Sequence, residues 1–276
     1  MTALMSLESR YREVKDKVGA AAQRSGRRPG EILVVAVSKY AEMDQIRELY
    51  RLGHRDFGES RVQQLVQRAA MLEEMQSRED ALPNIGEEQE MELFASAEGE
   101  GHSGSKLPRA RWHMIGHLQR NKARKCVETA RLIHSVDSLR LVDEIHSVAF
   151  KLDKEVELLV QVNCTGEKQK YGCAVAAAEH LAEQIDSLVH LKVRGLMAMG
   201  PTSMDPGETR ATFERTKELF DEMVKLNLCE GRFNILSMGM SGDYEMAIEC
   251  GANMVRIGSG IFGESEQADH EDDSDE

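Results

Sequence analysis

Short apolar runs recur along the chain and alternate with longer stretches whose apolar residues fall three and four positions apart. The runs are ILVVAVSK (32–39), DFGE (56–59), RWHMIG (111–116), LIHSVD (132–137), VELLVQVN (156–163), LKVRGLMAMG (191–200), NILSMG (234–239) and MVRIGSGIFG (254–263). Their length and β-branched content predict strands. The stretches between them, such as MDQIRELYRLG, SLRLVDEIHSVAF and ETRATFERTKELFDEMVKL, carry the helical period. Eight strand candidates separated by helices predict an α/β fold, a single-domain (β/α)8 TIM-like barrel over residues 1–263, rather than an open doubly wound sheet of five or six strands.

Two segments break the rhythm. Residues 76–109, with GEEQEMELFASAEGEGHSGSK inside them, lack sustained periodicity and are rich in Glu, Gly and Ser, which predicts a flexible solvated insertion. Residues 264–276, ESEQADHEDDSDE, are acidic and nearly devoid of apolar side chains, which predicts a disordered tail.

Composition narrows the function. No stretch approaches the roughly 18 unbroken apolar residues of a membrane span, and the N-terminus is amphipathic, so a cytoplasmic protein without a membrane partner is expected. A net charge of −13 argues against nucleic acid as a partner. The basic run HLQRNKARK (117–125) then reads as the solvated face of a helix or an anion patch. Five scattered cysteines with no Cys-x-x-Cys pair suggest neither a disulfide framework nor a zinc site. His113 and His117 are spaced like a helical ligand pair, but Gly116 and a strand end lie between them, so a structural or site-lining role is expected.

Candidate chemistry gathers at the carboxyl ends of the strand candidates, where barrels of this kind assemble their sites. Lys39 closes the first run, and no Gly-x-Gly-x-x-Gly follows it. SMGMSGD (237–243), ahead of a short helix, and RIGSG (256–260) supply hydroxyls, backbone amides and small residues suited to a phosphate, at the ends of the seventh and eighth runs. A lysine opposite a phosphate cradle describes a site for pyridoxal 5'-phosphate, and Arg256 stands where such sites place a partner for the pyridine nitrogen.

The segments VAVSKY, DFGESRVQ, WHMIGHLQRNK, HSVDSLRL, NCTGEKQKYG, VRGLMAMGP, LSMGMSGDYEMAI and GANMVRIGSGIFG run in order over residues 31–263 and resemble the pyridoxal phosphate homeostasis proteins, the YggS or PROSC family. The resemblance implies a single fold-type III barrel like the barrel domain of alanine racemase, led by a helix matched here by residues 3–24. It implies Lys39 as the Schiff-base lysine, Ser237, Gly239, Met240, Ser241, Gly258 and Ser259 as phosphate contacts, and Arg256 beside the ring nitrogen. Ser60 stands where the family usually has Asn, at a cofactor contact from the second strand. The insertion is longer than the family's.

The family's implied role is to bind and supply pyridoxal phosphate within the cell, affecting amino-acid and keto-acid balance. The alternative is a cofactor-dependent amino-acid racemase. Racemisation needs an acid and a base on opposite faces of the substrate, and racemases of this fold take a tyrosine from an added C-terminal domain. Only residues 264–276 follow Gly263 here, so a monomeric carrier with little turnover, and apoenzymes as recipients, is expected. Lys39 is expected to be a partly desolvated amine.

Overall fold

A computed structural model describes residues 5–81, 109–203 and 205–264. Its barrel strands are β1 (Leu33–Val37), β2 (Asp56–Glu59), β3 (Arg111–Met114), β4 (Leu132–Val136), β5 (Val156–Asn163), β6 (Leu191–Met197), β7 (Ile235–Ser237) and β8 (Met254–Ile257). All their pairings are parallel. Neighbours follow chain order, and pairing of β1 with β8 and of β4 with β5 closes the cylinder. Every strand expected from the sequence is present. A further two-residue strand, Cys173–Ala174, pairs with the end of β5 and was not foreseen.

The helices are α1 (Leu7–Arg24), α2 (Met43–Arg51), α3 (Val62–Ala81), α4 (Ala123–Thr129), α5 (Leu139–Lys151), α6 (Val175–Asp186), α7 (Pro206–Val224) and the short α8 (Tyr244–Glu249) and α9 (Ser259–Phe262), with a further short turn at Leu228–Gly231. Their starts follow local chemistry. Ser6 Oγ accepts from Ser9 N ahead of α1, Glu42 and Gln45 form a capping box at α2, and Asp205 Oδ1 accepts from Glu208 N ahead of Pro206 in α7. Helix α3 runs past Gln76 to Ala81, so the segment read as an insertion from residue 76 begins as helix. Residues 82–108, and the acidic tail after Glu264, lie outside the described residues.

Two cores result. The larger fills the space between strands and helices, with Phe57, Ile46, Leu49, Ile145, Leu158 and Phe213 fully enclosed. The smaller, Val35, Leu132, Leu159, Met197 and Met254, fills the cylinder itself. Helix α1 seals one side: Arg10 donates from Nε to the Ile261 carbonyl (2.9 Å) and from Nη2 to that of Phe262 (3.1 Å), and Arg24 pairs with Glu245 and Glu249 of α8. No described helix is long and apolar enough to cross a membrane. The run at 117–125 becomes a short 3-10 turn and the start of α4, with Arg120, Lys122, Arg124 and Lys125 all exposed.

Candidate functional site

Strand alternation carries one face of β1 from Leu33 and Val35, in the inner core, through Val37 to position 39. Lys39 therefore points over the carboxyl end of the barrel, into a cavity of about 1240 Å³. The same alternation on β8 takes Met254 inside, then Arg256, then Gly258 at the cavity. Lys39, Ser60, Met240, Ser241, Arg256, Gly258 and Ser259 all line this one cavity.

Lys39 is exposed, with Nζ 4.4 Å from the centroid of the Tyr40 ring. The expected desolvation of this amine is not found, because position 39 lies on the rim, beyond the last layer of interior side chains. Its backbone is held instead. Arg68 of α3 donates to the carbonyls of Ser38 and Ala41, on either side of the Lys39–Tyr40 turn, and to Glu59. Ser38 Oγ donates to the same carboxylate at 2.5 Å. Burial pushes the Glu59 carboxyl pKa up, against the charge of Arg68 and the hydrogen bond from Ser38.

Arg256, 3% exposed, forms the cavity floor. Nη1 donates to Ser237 Oγ at 2.7 Å and Nη2 to the Ala198 carbonyl at 2.9 Å, which spends two of the five donors of a guanidinium. Complete burial lowers its pKa to about 10, with Asp243 opposing, so the charge persists at neutral pH.

The wall is built by the loop after β7. Ser241 Oγ accepts from the amides of Gly258 (3.2 Å) and Gly260 (3.3 Å), joining this loop to the turn after β8. Met240 N donates to Asp243 Oδ1, so a carboxylate oxygen already sits on an amide of this loop. Burial raises the Asp243 pKa, partly offset by that bond and by Arg256. A floor and rim carrying Arg256 and Lys39, with hydroxyls and small residues between them, suit a phosphorylated aldehyde.

Two candidate phosphate contacts lie elsewhere. Ser237 is fully buried inside the barrel, its hydroxyl bonded to Arg256 and 3.1 Å from His134 Nδ1. Gly239, at φ +93, accepts from Arg256 N, and a Cβ there would stand 2.5 Å from that of Ala247. Both support the loop from beneath rather than lining the cavity. Gly239→Ala is therefore expected to cost about 1–3 kcal/mol, through left-handed strain and the Ala247 clash, read as a lowered urea midpoint. An unchanged midpoint would show that the loop does not need this conformation.

His113 and His117 separate as expected. His113 is buried beside Asp56 and His134, whereas the His117 ring stacks on Tyr171 with centroids 4.3 Å apart. Among the described residues no group of three or more potential ligands could hold a metal. The sequence reading missed Tyr40, Gln45, Ile115, Met199 and Phe262 as lining residues. Met199 was accessible to strand parity, two beyond the inner-core Met197.

The family model for the alanine racemase N-terminal domain matches residues 20–266. A pyridoxal phosphate homeostasis protein of Aquifex aeolicus is 32% identical over 94% of this chain and 99% of its own. PipY of Synechococcus elongatus, in a structure with pyridoxal phosphate bound, superposes with a TM-score of 0.68 at 31% identity, over 91% of this chain and all of its own. Alanine racemase of Clostridium difficile has a TM-score of 0.62 at 11% identity, over 92% of this chain and 60% of its own, and shares the fold. Matched by that family model over residues 20–266 and 32% identical to such a relative across nearly its whole length, the chain belongs to the alanine racemase N-terminal domain family, within its group of pyridoxal phosphate homeostasis proteins.

Proposed function

We propose that the protein binds pyridoxal 5'-phosphate through a Schiff base with Lys39 and serves in the homeostasis and supply of this cofactor inside the cell. The carrying observation is that Lys39, Arg256 and the Ser241, Gly258 and Ser259 turns meet in one cavity. When bound, the cofactor supplies an aldehyde, and an amine condenses with it reversibly, releasing water. Lys39 Nζ is the amine. Arg256 would hold the ring end of the cofactor, where a guanidinium that keeps its proton would leave the pyridine nitrogen unprotonated and weaken electron withdrawal. Ser241, Ser259 and the nearby backbone hold the phosphate, and Ser60 contributes from the end of β2.

Release rather than turnover is supported by the exposed amine and by Met240, 42% exposed at the wall. The exposed Lys39 amine would leave a cofactor bound there open to water and to other amines, which would allow its release by hydrolysis or its transfer to a recipient apoenzyme. Among the described residues the tyrosine that lines the cavity, Tyr40, shares the turn of Lys39, so the two stand on one side, whereas racemisation needs acid and base on opposite faces. We read the protein as a monomeric carrier.

Titration of the protein with pyridoxal phosphate tests the reading. A saturable near-ultraviolet to visible band, lost on borohydride treatment, is expected, with no interconversion of single amino-acid enantiomers by the loaded protein. No band would overturn cofactor binding; steady interconversion would make the protein a racemase.

A further inference from the structure

A file of polar side chains crosses the apolar interior of the barrel, and the cofactor reading uses only its last member. Asp56 Oδ1 lies 3.1 Å from His113 Nε2, His113 Nδ1 lies 3.0 Å from His134 Nε2, and His134 Nδ1 lies 3.1 Å from Ser237 Oγ. Arg256 Nη1 then donates to that hydroxyl at 2.7 Å. All five groups are at most 6% exposed at the residue or side-chain level. Buried polar atoms persist where they are mutually satisfied, so the file is built rather than incidental.

Its proton arrangement follows from the donors available. Arginine can only donate and an ionised aspartate can only accept, which fixes both ends. With both rings neutral, one pattern uses every contact: Arg256 to Ser237, Ser237 O–H to His134 Nδ1, His134 Nε2–H to His113 Nδ1, and His113 Nε2–H to Asp56. Each middle group donates once and accepts once, all in one direction. Ser237 thereby has no hydrogen left for a phosphate, which agrees with its place below the cavity.

We propose that Ser237, His134 and His113 are positioning residues that fix the Arg256 guanidinium and tie its charge to the Asp56 carboxylate, so that the far end of the barrel sets the electrostatics at the cofactor ring. This rests on the cavity being the pyridoxal phosphate site. Hydrogen bonds in such a chain polarise one another, and the apolar layer of Val35, Leu132, Leu159, Met197 and Met254 screens little. Other charged or titratable groups face the two ends. Asp243 faces Arg256 from the loop after β7, and Arg111 grips Asp56 from β3, with the His54 ring on the Asp56 carbonyl and Tyr11 behind it.

Two measurements test the chain. In unloaded protein with 15N-labelled histidine at pH 8, His134 is expected as the neutral tautomer with its proton on Nε2; a proton on Nδ1 would overturn the chain. In loaded protein, Asp56→Asn removes a negative end without touching the cavity and makes the site more positive, which disfavours the protonated adduct. The spectral midpoint of the adduct is expected to move to lower pH by about half a unit or more. Ser237→Ala is expected to move it in the same direction, and the double variant no further than the larger single shift, because both cut one chain. Ser237→Thr, which keeps the hydroxyl, is expected to restore the original midpoint and serves where Asp56→Asn does not fold. Unmoved midpoints, or shifts that add, would overturn the proposal. Absence of any adduct in the unsubstituted protein would instead sink the cofactor reading and leave the tautomer measurement to judge the chain.

Discussion

Lys39→Ala is expected to abolish the borohydride-sensitive band and to weaken pyridoxal phosphate binding on the order of a hundredfold, about 2.7 kcal/mol. The substitution removes the only side chain the account assigns to covalent capture. It leaves Arg256, the Ser241 bridge to Gly258 and Gly260, and the Arg68 anchor on the Ser38 and Ala41 carbonyls, none of which uses the Lys39 side chain. Residual binding without the band is thus expected, seen by calorimetry or by fluorescence quenching of the single Trp. Retention of the full band in this variant would assign the chemistry to another amine.

Acidification is expected to destabilise the fold steeply between pH 6.5 and 4. His54 is buried, its Nε2 on the Asp56 carbonyl (2.8 Å) and its Nδ1 3.2 Å from the Tyr11 hydroxyl. Burial lowers its pKa to about 4 from an ordinary 6.5, against the Asp56 contacts. The unfolded chain therefore binds a proton first. Stability from neutral His54 is complete above pH 6.5 and is lost as pH falls toward 4, roughly 3 kcal/mol for this group. His134, its pKa driven well below 6.5 chiefly by burial, with the neighbouring His113 and Arg256 acting the same way, adds in the same direction.

Asp56 acts at lower pH. Burial alone would raise its pKa, but the hydrogen bonds of His113 and Arg111 outweigh that and hold it below the ordinary carboxylate range. Its stabilisation is present above the unfolded value near 3.8 and disappears below it. Glu59 and Asp243, with raised carboxyl pKa values, oppose the loss, since the folded state takes up their protons more readily. Urea midpoints from pH 7 to 4 are expected to fall, with a shallower fall in His54→Gln. A flat profile would mean that these rings are not held neutral in the fold.

Much of this architecture was legible because a parallel barrel writes its strands as β-branched runs and its site at their ends. Lys39 and Arg256 were visible for that reason, each two positions beyond an inward side chain. The motif SMGMS was less informative. Adjacent residues alternate between interior, loop support and cavity, so Ser237 and Gly239 fell below the site while Met240 and Ser241 line it. The exposure of Lys39 depended on how far the rim rises around it, which no local pattern encodes. The His113–His134 contact joins neighbouring strands through their register, with Met114 opposite Ile133, and that register emerges only when the cylinder closes. Cys173–Ala174 was too short to carry a period.

Peptide mapping after borohydride reduction of the loaded protein tests the central claim most directly. The account predicts one stoichiometric pyridoxyl modification, on Lys39. A stoichiometric label on any other lysine, with Lys39 unmodified, would contradict it.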